Sequence, residues 1–115
     1  MNISIKLCEH IRERIIPQYV NFDKAHRIDH VEKVIEESMK LALHYEVNSA
    51  MVYTIAAYHD LGLCEGREFH HIVSGKILFA DETLWQWFTD DQMLQMKEAI
   101  EDHRASNKQA PRSIY

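Results

Sequence analysis

The residues best suited to chemistry are the adjacent His59 and Asp60, which follow a segment with almost no polar side chain. From Ala50 to Tyr58 the segment is apolar around a helical circumference, and this predicts a helix buried at the centre of a domain. Burial of an imidazole and a carboxylate is costly unless both groups are paired. A divalent metal ion is the simplest partner, because both groups are ligands for Mn, Fe, Co, Ni or Zn. We therefore predict that His59 and Asp60 bind a metal ion.

Two upstream histidines, His26 and His30, are four residues apart and so lie on one side of a predicted helix. This helix begins at Asn21 or Asp23 and runs to about Tyr45. His30 lies with the apolar stripe and is the better candidate ligand, whereas His26 is nearer a pocket rim, and the helix register decides between them. The alternative for His30 is a core histidine bonded to a backbone carbonyl. The predicted inward residues are Ile28, Val31, Val34, Ile35, Met39 and Ala42.

Further charged groups follow the central helix. Arg67 and Lys76 flank the adjacent His70 and His71 in a segment that resumes helical spacing over residues 68–79. Adjacent helical side chains point about 100° apart, so at most one of these histidines can face the metal. Arginine is suited to a two-point phosphate contact, and two solvated basic side chains are the alternative reading.

The last predicted helix is capped by Asp90 or Asp91 and carries His103 and Arg104 near its end. A histidine and an arginine at this position fit either a second metal site with a phosphate contact or a plain C-terminal cap. The predicted inward residues of this helix are Met93, Met96, Ala99 and Ile100.

The elements that position these residues are all predicted to be helical. Residues 2–20 form an amphipathic helix that ends or is interrupted near Pro17, and Gly62 is the predicted C-cap of the central helix. The aromatic run 83–88 is predicted to pack in the core on a short connection, and residues 105–115 form a loop or tail. The inward side chains of the first helix are Ile3, Leu7, Ile11, Ile15 and Val20.

Composition bounds the class of protein. A chain of 115 residues has room for one domain, and a net charge of −5 argues against nucleic acid or anionic membranes as partners. No stretch is apolar enough for a signal peptide or a membrane span. Cys8 and Cys64 form neither a metal-binding pair nor a disulfide framework, and a reducing, cytoplasmic setting is the default expectation.

Two segments together resemble a known family. The sequence His30-Val31-Glu32-Lys33-Val34, followed by Ala56-Ala57-Tyr58-His59-Asp60-Leu61-Gly62, is similar to the HD-domain superfamily of metal-dependent phosphohydrolases. The later segments 67–71 and 100–106 look like those of small stand-alone HD proteins. The resemblance covers residues from about 22 to the end. It implies an all-α bundle of five to six helices in one domain, residues 1–115, with a core over about 22–104.

The resemblance also implies a ligand set. His30, His59 and Asp60 match the first three metal positions of the family, with the HD pair in the catalytic role. A distal aspartate is the fourth, and the later aspartates of this chain come too early for it. In similar proteins a stretch like 111–115 shortly precedes that aspartate, so we expect the chain to stop short of it, or water or a partner subunit to replace it. The early aspartates are Asp81, Asp90, Asp91 and Asp102.

The activity implied is hydrolysis of a phosphate ester or phosphoanhydride in a small, nucleotide-like molecule, with Asp60 orienting a water molecule. The metal is Mn, Fe, Co, Ni, Zn or Mg, and a homodimer is compatible with the sequence. Two alternatives remain: an inactive module that binds a nucleotide or metal, and a di-iron oxygenase. The second-metal candidates are His70, His71 and His103, and the phosphate-binding candidates are Arg67, Lys76 and Arg104.

Overall fold

The computed structural model describes residues 3–21, 28–45, 47–65 and 69–102. In these ranges the chain is helical without strands, which confirms the predicted all-α class. No helix in these ranges has both the length and the apolar character needed to cross a bilayer. The α-helices are α1 (Ile5–His10), α2 (Ile28–Ala42), α3 (Ser49–Tyr58), α4 (His70–Ala80) and α5 (Asp90–Glu101). A π-helix spans Ile11–Ile15, and 3₁₀ helices span Ile16–Asn21, Leu61–Glu65 and Glu82–Gln86.

Backbone contacts divide the chain into two units, Met1–Ala57 and Tyr58–Tyr115, and each is described by itself. The prediction of one domain over residues 1–115 stays a prediction.

The first unit begins with three helix types in succession. The hydroxyl of Ser4 accepts a hydrogen bond from the Leu7 amide at the start of α1, and the 3₁₀ helix begins at Ile16, one residue before Pro17. The predicted interruption is therefore a change of winding. One predicted core residue is wrong as a result: Val20 is 51% exposed, whereas Tyr19 is fully buried. A 3₁₀ helix has about three residues per turn, which brings Tyr19 to the face of Ile16.

Helix α2 presents the predicted stripe inward. Val31 and Ala42 are buried, and the other predicted inward residues are half-buried. The helix ends at Ala42, three residues before the predicted end, and a turn follows it. The predicted start of this helix, with Asn21 or Asp23 as its cap, falls next to or within residues 22–27, which lie outside the described residues.

Helix α3 is buried on nearly every side, as its composition predicts. The side chain of Asn48 accepts hydrogen bonds from the amides of Ala50 and Met51, at 2.9 and 3.3 Å, and so caps the helix. The hydroxyl of Tyr19 donates to the carbonyl of Ala57 at 2.6 Å. That carbonyl belongs to the last turn, where helix carbonyls lack partners within the helix.

In the second unit, helix α4 packs against the 3₁₀ helix Leu61–Glu65 and against α5. Its buried face is formed by Ser74, Gly75 and Leu78. Phe69 and Ile72, two apolar residues of the sequence pattern, are 58% and 38% exposed. Small side chains bring the neighbouring elements close to the α4 backbone, and the larger apolar residues consequently lie outside.

Helix α5 begins with a capping box between Thr89 and Gln92. The predicted cap was wrong by a residue or two, because Asp90 and Asp91 lie in the first turn, where their charge favours the helix dipole. The predicted inward residues of α5 are all buried, and so are Leu84 and Phe88 of the aromatic run. Trp85 is half-buried and packs edge-on against Phe79, with ring centroids 5.2 Å apart.

Candidate metal centre

His59 and Asp60 form a turn directly after α3 and before the 3₁₀ helix Leu61–Glu65. They are 7% and 5% exposed, so the predicted burial is correct. Asp60 was predicted on the last turn of the central helix, but α3 ends at Tyr58, one residue before His59. His59 Nε2 lies 3.1 Å from Asp60 Oδ2. The imidazole and the carboxylate therefore face each other inside the protein.

The other oxygen of Asp60 faces a second histidine. His70, the first residue of α4, places its Nε2 3.4 Å from Asp60 Oδ1. Ligand atoms about 2.1 Å from one ion lie about 3.0 Å apart at a right angle and about 3.4 Å apart in a tetrahedron. Both separations at Asp60 are of this size, and at 3.1 Å a ring N–H would also donate a hydrogen bond to the carboxylate.

His30 comes from α2 and is half-buried. Together with His59 and Asp60, it was predicted from the sequence as a metal ligand. Because His30 belongs to the first unit and the turn to the second, its part in the site stays a prediction.

The donor set fits a divalent transition metal. Two imidazole nitrogens and a carboxylate suit Mn, Fe, Co, Ni or Zn, whereas Mg prefers oxygen ligands throughout. Three protein ligands would leave positions open for water or a substrate oxygen. A buried carboxylate between imidazoles is also the setting in which a cation offsets the cost of desolvation.

The residues around the turn hold it against α4. The Gly62 amide donates a 2.7 Å hydrogen bond to Ser74 Oγ, and this bond is buried. On the other side, the Tyr58 hydroxyl donates to Asp81 Oδ2 at 2.5 Å. Gly62 was predicted as a helix C-cap, but it lies inside the 3₁₀ helix and its φ is outside the left-handed region. Its lack of a side chain instead permits close approach to α4.

The structure describes only some of the other predicted site residues. His71 is half-buried, with its ring centroid 3.9 Å from that of His70. Lys76 is exposed. It lies six residues after His70, so the two side chains point about 120° apart around the helix. Four predicted site residues fall outside the described residues, namely His26, Arg67, His103 and Arg104.

Sequence reasoning did not single out Tyr58 or Ser74 as residues near the site, and it weighed Asp81 only as a ligand. Ser74 is four residues after His70 and so lies on the same side of a helix, and this spacing is a usable signal. The bond between Tyr58 and Asp81 joins residues 23 apart in sequence, and no local pattern indicates it.

No curated protein matches the chain, and no solved structure matches it. A family model described as the HD domain matches residues 27–114, which is most of the sequence. The match includes the His59–Asp60 turn, His30 and His70, so the geometry above and the family pattern concern the same residues. On this match, the chain belongs to the HD-domain family.

Proposed function

We propose that this HD domain hydrolyses a phosphate ester or phosphoanhydride in a small, nucleotide-like molecule, using a divalent metal ion. The observation that carries the proposal is the placement of His59 Nε2 and His70 Nε2 at 3.1 and 3.4 Å from the two oxygens of the buried Asp60, in a chain of the HD-domain family. Imidazole and carboxylate donors that converge in this way are typical of transition-metal sites.

Each candidate ligand has its own proposed role, set by the chemistry of its side chain. His30 and His59 would bind the ion through neutral imidazoles, and Asp60 would bind it through a carboxylate oxygen and orient the attacking water. A bound divalent ion lowers the pKa of water and polarises a phosphoryl oxygen. Burial of His59 and Asp60 excludes bulk solvent, which strengthens electrostatic interactions at the site.

The two oxygens of Asp60 support a second role for the same carboxylate. Oδ2 faces His59 and Oδ1 faces His70, so His70 is the candidate with the most support as a ligand of a second ion. His71 and His103 remain proposals for that position. Arg67, Lys76 and Arg104 are proposed to neutralise substrate phosphate, although the orientation of Lys76 away from His70 gives it the weakest support.

The test is release of phosphate or pyrophosphate from a panel of nucleoside mono-, di- and triphosphates with Mn²⁺, Co²⁺, Ni²⁺ or Mg²⁺ added. Wild type is compared with Asp60→Ala and with the nearly isosteric Asp60→Asn. His44→Gln is the matched control, because His44 is an exposed histidine in the turn after α2. We expect turnover in wild type and the control and loss of turnover in both Asp60 variants.

Turnover that persists in Asp60→Ala, or in metal-stripped protein, would overturn the proposal. Tight nucleotide binding without turnover would favour the inactive binding module. The set of two histidines and one carboxylate is also a known iron-oxygenase ligand set, which gives the second alternative a specific basis. Oxygen consumption and visible absorption in the iron-loaded protein would favour that alternative.

A further inference from the structure

The His59–Asp60 turn is attached to helix α4 on both of its flanks. Tyr58, immediately before the turn, bonds to Asp81, and Gly62, two residues after it, bonds to Ser74. Ser74 lies within α4, the helix that also carries His70, and Asp81 is the residue directly after that helix. The turn and its second histidine neighbour therefore share one support.

On the Gly62 flank the attachment is close as well as polar. A Cβ added to Gly62 would lie 2.1 Å from the His70 carbonyl oxygen, 2.6 Å from the Ser74 amide nitrogen and 2.9 Å from Ser74 Oγ. Separations below about 3 Å are not found for real Cβ atoms. The backbone at Gly62 thus touches the first turn of α4 at His70 itself. Ser74 is fully buried, so its hydroxyl bond is shielded from competing water.

On the Tyr58 flank the acceptor is itself fixed. Asp81 is the residue after the end of α4, and its Oδ1 accepts a 3.0 Å hydrogen bond from the Thr83 amide while Oδ2 accepts from Tyr58. Tyr58 is fully buried. Because Ser74 and Asp81 are seven residues apart, their attachments lie about 10 Å apart along the helix direction.

We infer that Ser74 and Asp81, through Gly62 and Tyr58, are positioning residues that fix the His59–Asp60 turn relative to His70. Two attachments about 10 Å apart resist rotation of the turn, whereas one would leave it free to pivot. Residues that orient metal ligands from outside the ligand set commonly contribute 10- to 100-fold to metal affinity. The inference rests on the proposed metal site for its functional meaning, but its geometry stands without a metal ion.

The experiment uses the full chain with Tyr58→Phe and Ser74→Ala, each of which deletes one hydroxyl. Thr54→Val is the matched control, because Thr54 is also fully buried and its hydroxyl donates a 2.8 Å bond to Ala50 O within α3. Circular dichroism selects a temperature at which all variants are folded. Co²⁺ affinity and its visible spectrum are then measured, together with the histidine ring ¹⁵N–¹H spectrum of the metal-free protein.

We expect Co²⁺ affinity to fall about tenfold in each of the two variants, with an altered cobalt spectrum. We expect the ring signals of His59 and His70 to shift in the metal-free variants while that of His44 stays in place. Thr54→Val should change none of these readouts beyond its effect on stability. Folded variants with wild-type Co²⁺ affinity and unshifted His59 and His70 signals would overturn the inference.

Failure of the proposed function gives a different result. If wild type binds no Co²⁺, the metal site is refuted, and the ring signals alone decide the positioning role. Shifted His59 and His70 signals in Tyr58→Phe and Ser74→Ala would uphold it, and unshifted signals would refute it. If wild type binds Co²⁺ and turns over nothing, the affinity comparison still applies.

Discussion

Helices α3 and α4 lie on either side of Asp60 in sequence and differ in how much of their surface is buried. Nearly every side chain of α3 is buried or half-buried, the helix ends at Tyr58, and His59 and Asp60 follow in a turn. Helix α4 buries one face, formed by Ser74, Gly75 and Leu78, leaves Ile72 exposed, and begins at His70. The candidate ligands His59 and Asp60 therefore follow a helix that is buried on nearly every side, whereas His70 begins a helix that is packed on one face.

The largest expected effect is a difference in Co²⁺ affinity between variants of the two histidines that face Asp60. His59→Ala should lower Co²⁺ affinity more than about 100-fold, because it removes a ligand rather than a supporting group. His70→Ala should leave the first ion bound within about tenfold of wild type and remove only a second equivalent. Cobalt titration with metal analysis of the dialysed protein gives both the affinity and the stoichiometry. Equal losses of affinity in the two variants would show that the two histidines do not differ in role.

The next effect concerns the close approach at Gly62. Gly62→Ala should reduce the free energy of unfolding by about 3 kcal/mol, the upper end of ordinary overpacking costs. The reason is that two of the three atoms it would meet are backbone atoms, His70 O and Ser74 N, which cannot move aside. Urea unfolding followed by circular dichroism measures the change. A loss under about 1 kcal/mol would mean that the turn tolerates a side chain.

Gly75, a second glycine in the same unit, provides a comparison for the effect of a side chain at Gly62. A Cβ at Gly75 would meet Lys97 Cγ, Glu101 Cγ and Lys97 O at 3.2–3.3 Å, so two of its three neighbours belong to flexible side chains. Alanine also gains about 0.5–1 kcal/mol over glycine inside a helix. Gly75→Ala should therefore lie within about 1 kcal/mol of wild type in the same unfolding assay. Destabilisation equal to that of Gly62→Ala would contradict this distinction.

The smallest expected effect concerns Tyr53, a buried residue of helix α3. Burial raises the pKa of its hydroxyl, the nearby Cys8 raises it further, and Arg12 opposes them with a smaller lowering effect. The folded state thus keeps the proton to higher pH than the unfolded state. The stabilisation is fully present below the unfolded pKa of about 10 and is lost as the pH rises through the folded value.

Tyr53→Phe should accordingly flatten the decline of stability above about pH 10, since the other tyrosines and lysines contribute equally to both proteins. Urea unfolding from pH 8 to pH 11, beside phenolate absorbance at 295 nm, measures both sides of the linkage. Parallel stability curves for wild type and variant would show that burial of the hydroxyl carries no pH-dependent cost.

The contrast between the helices also explains which features could be predicted from sequence. Periodic bulky residues predicted the buried face of α5, and the apolar run predicted the burial of α3 and of the His59–Asp60 pair. Val20 was wrong because a 3₁₀ helix changed the winding after Ile16. The helical spacing of residues 68–79 did not indicate that α4 would bury Ser74 and Gly75, because this packing depends on small residues. The Tyr58–Asp81 bond could not be predicted, because it joins distant positions through tertiary structure alone.

The bond from Tyr19 to the Ala57 carbonyl bears on where the chain can be cut. Tyr19 precedes the residues matched by the family model, which begin at residue 27. A fragment trimmed to that boundary would lack the group that satisfies α3's terminal carbonyl, two residues before His59. We therefore expect that an expression fragment must include Tyr19 to retain the native end of α3. Family boundaries mark shared sequence, and a contact that completes the end of α3 lies beyond them.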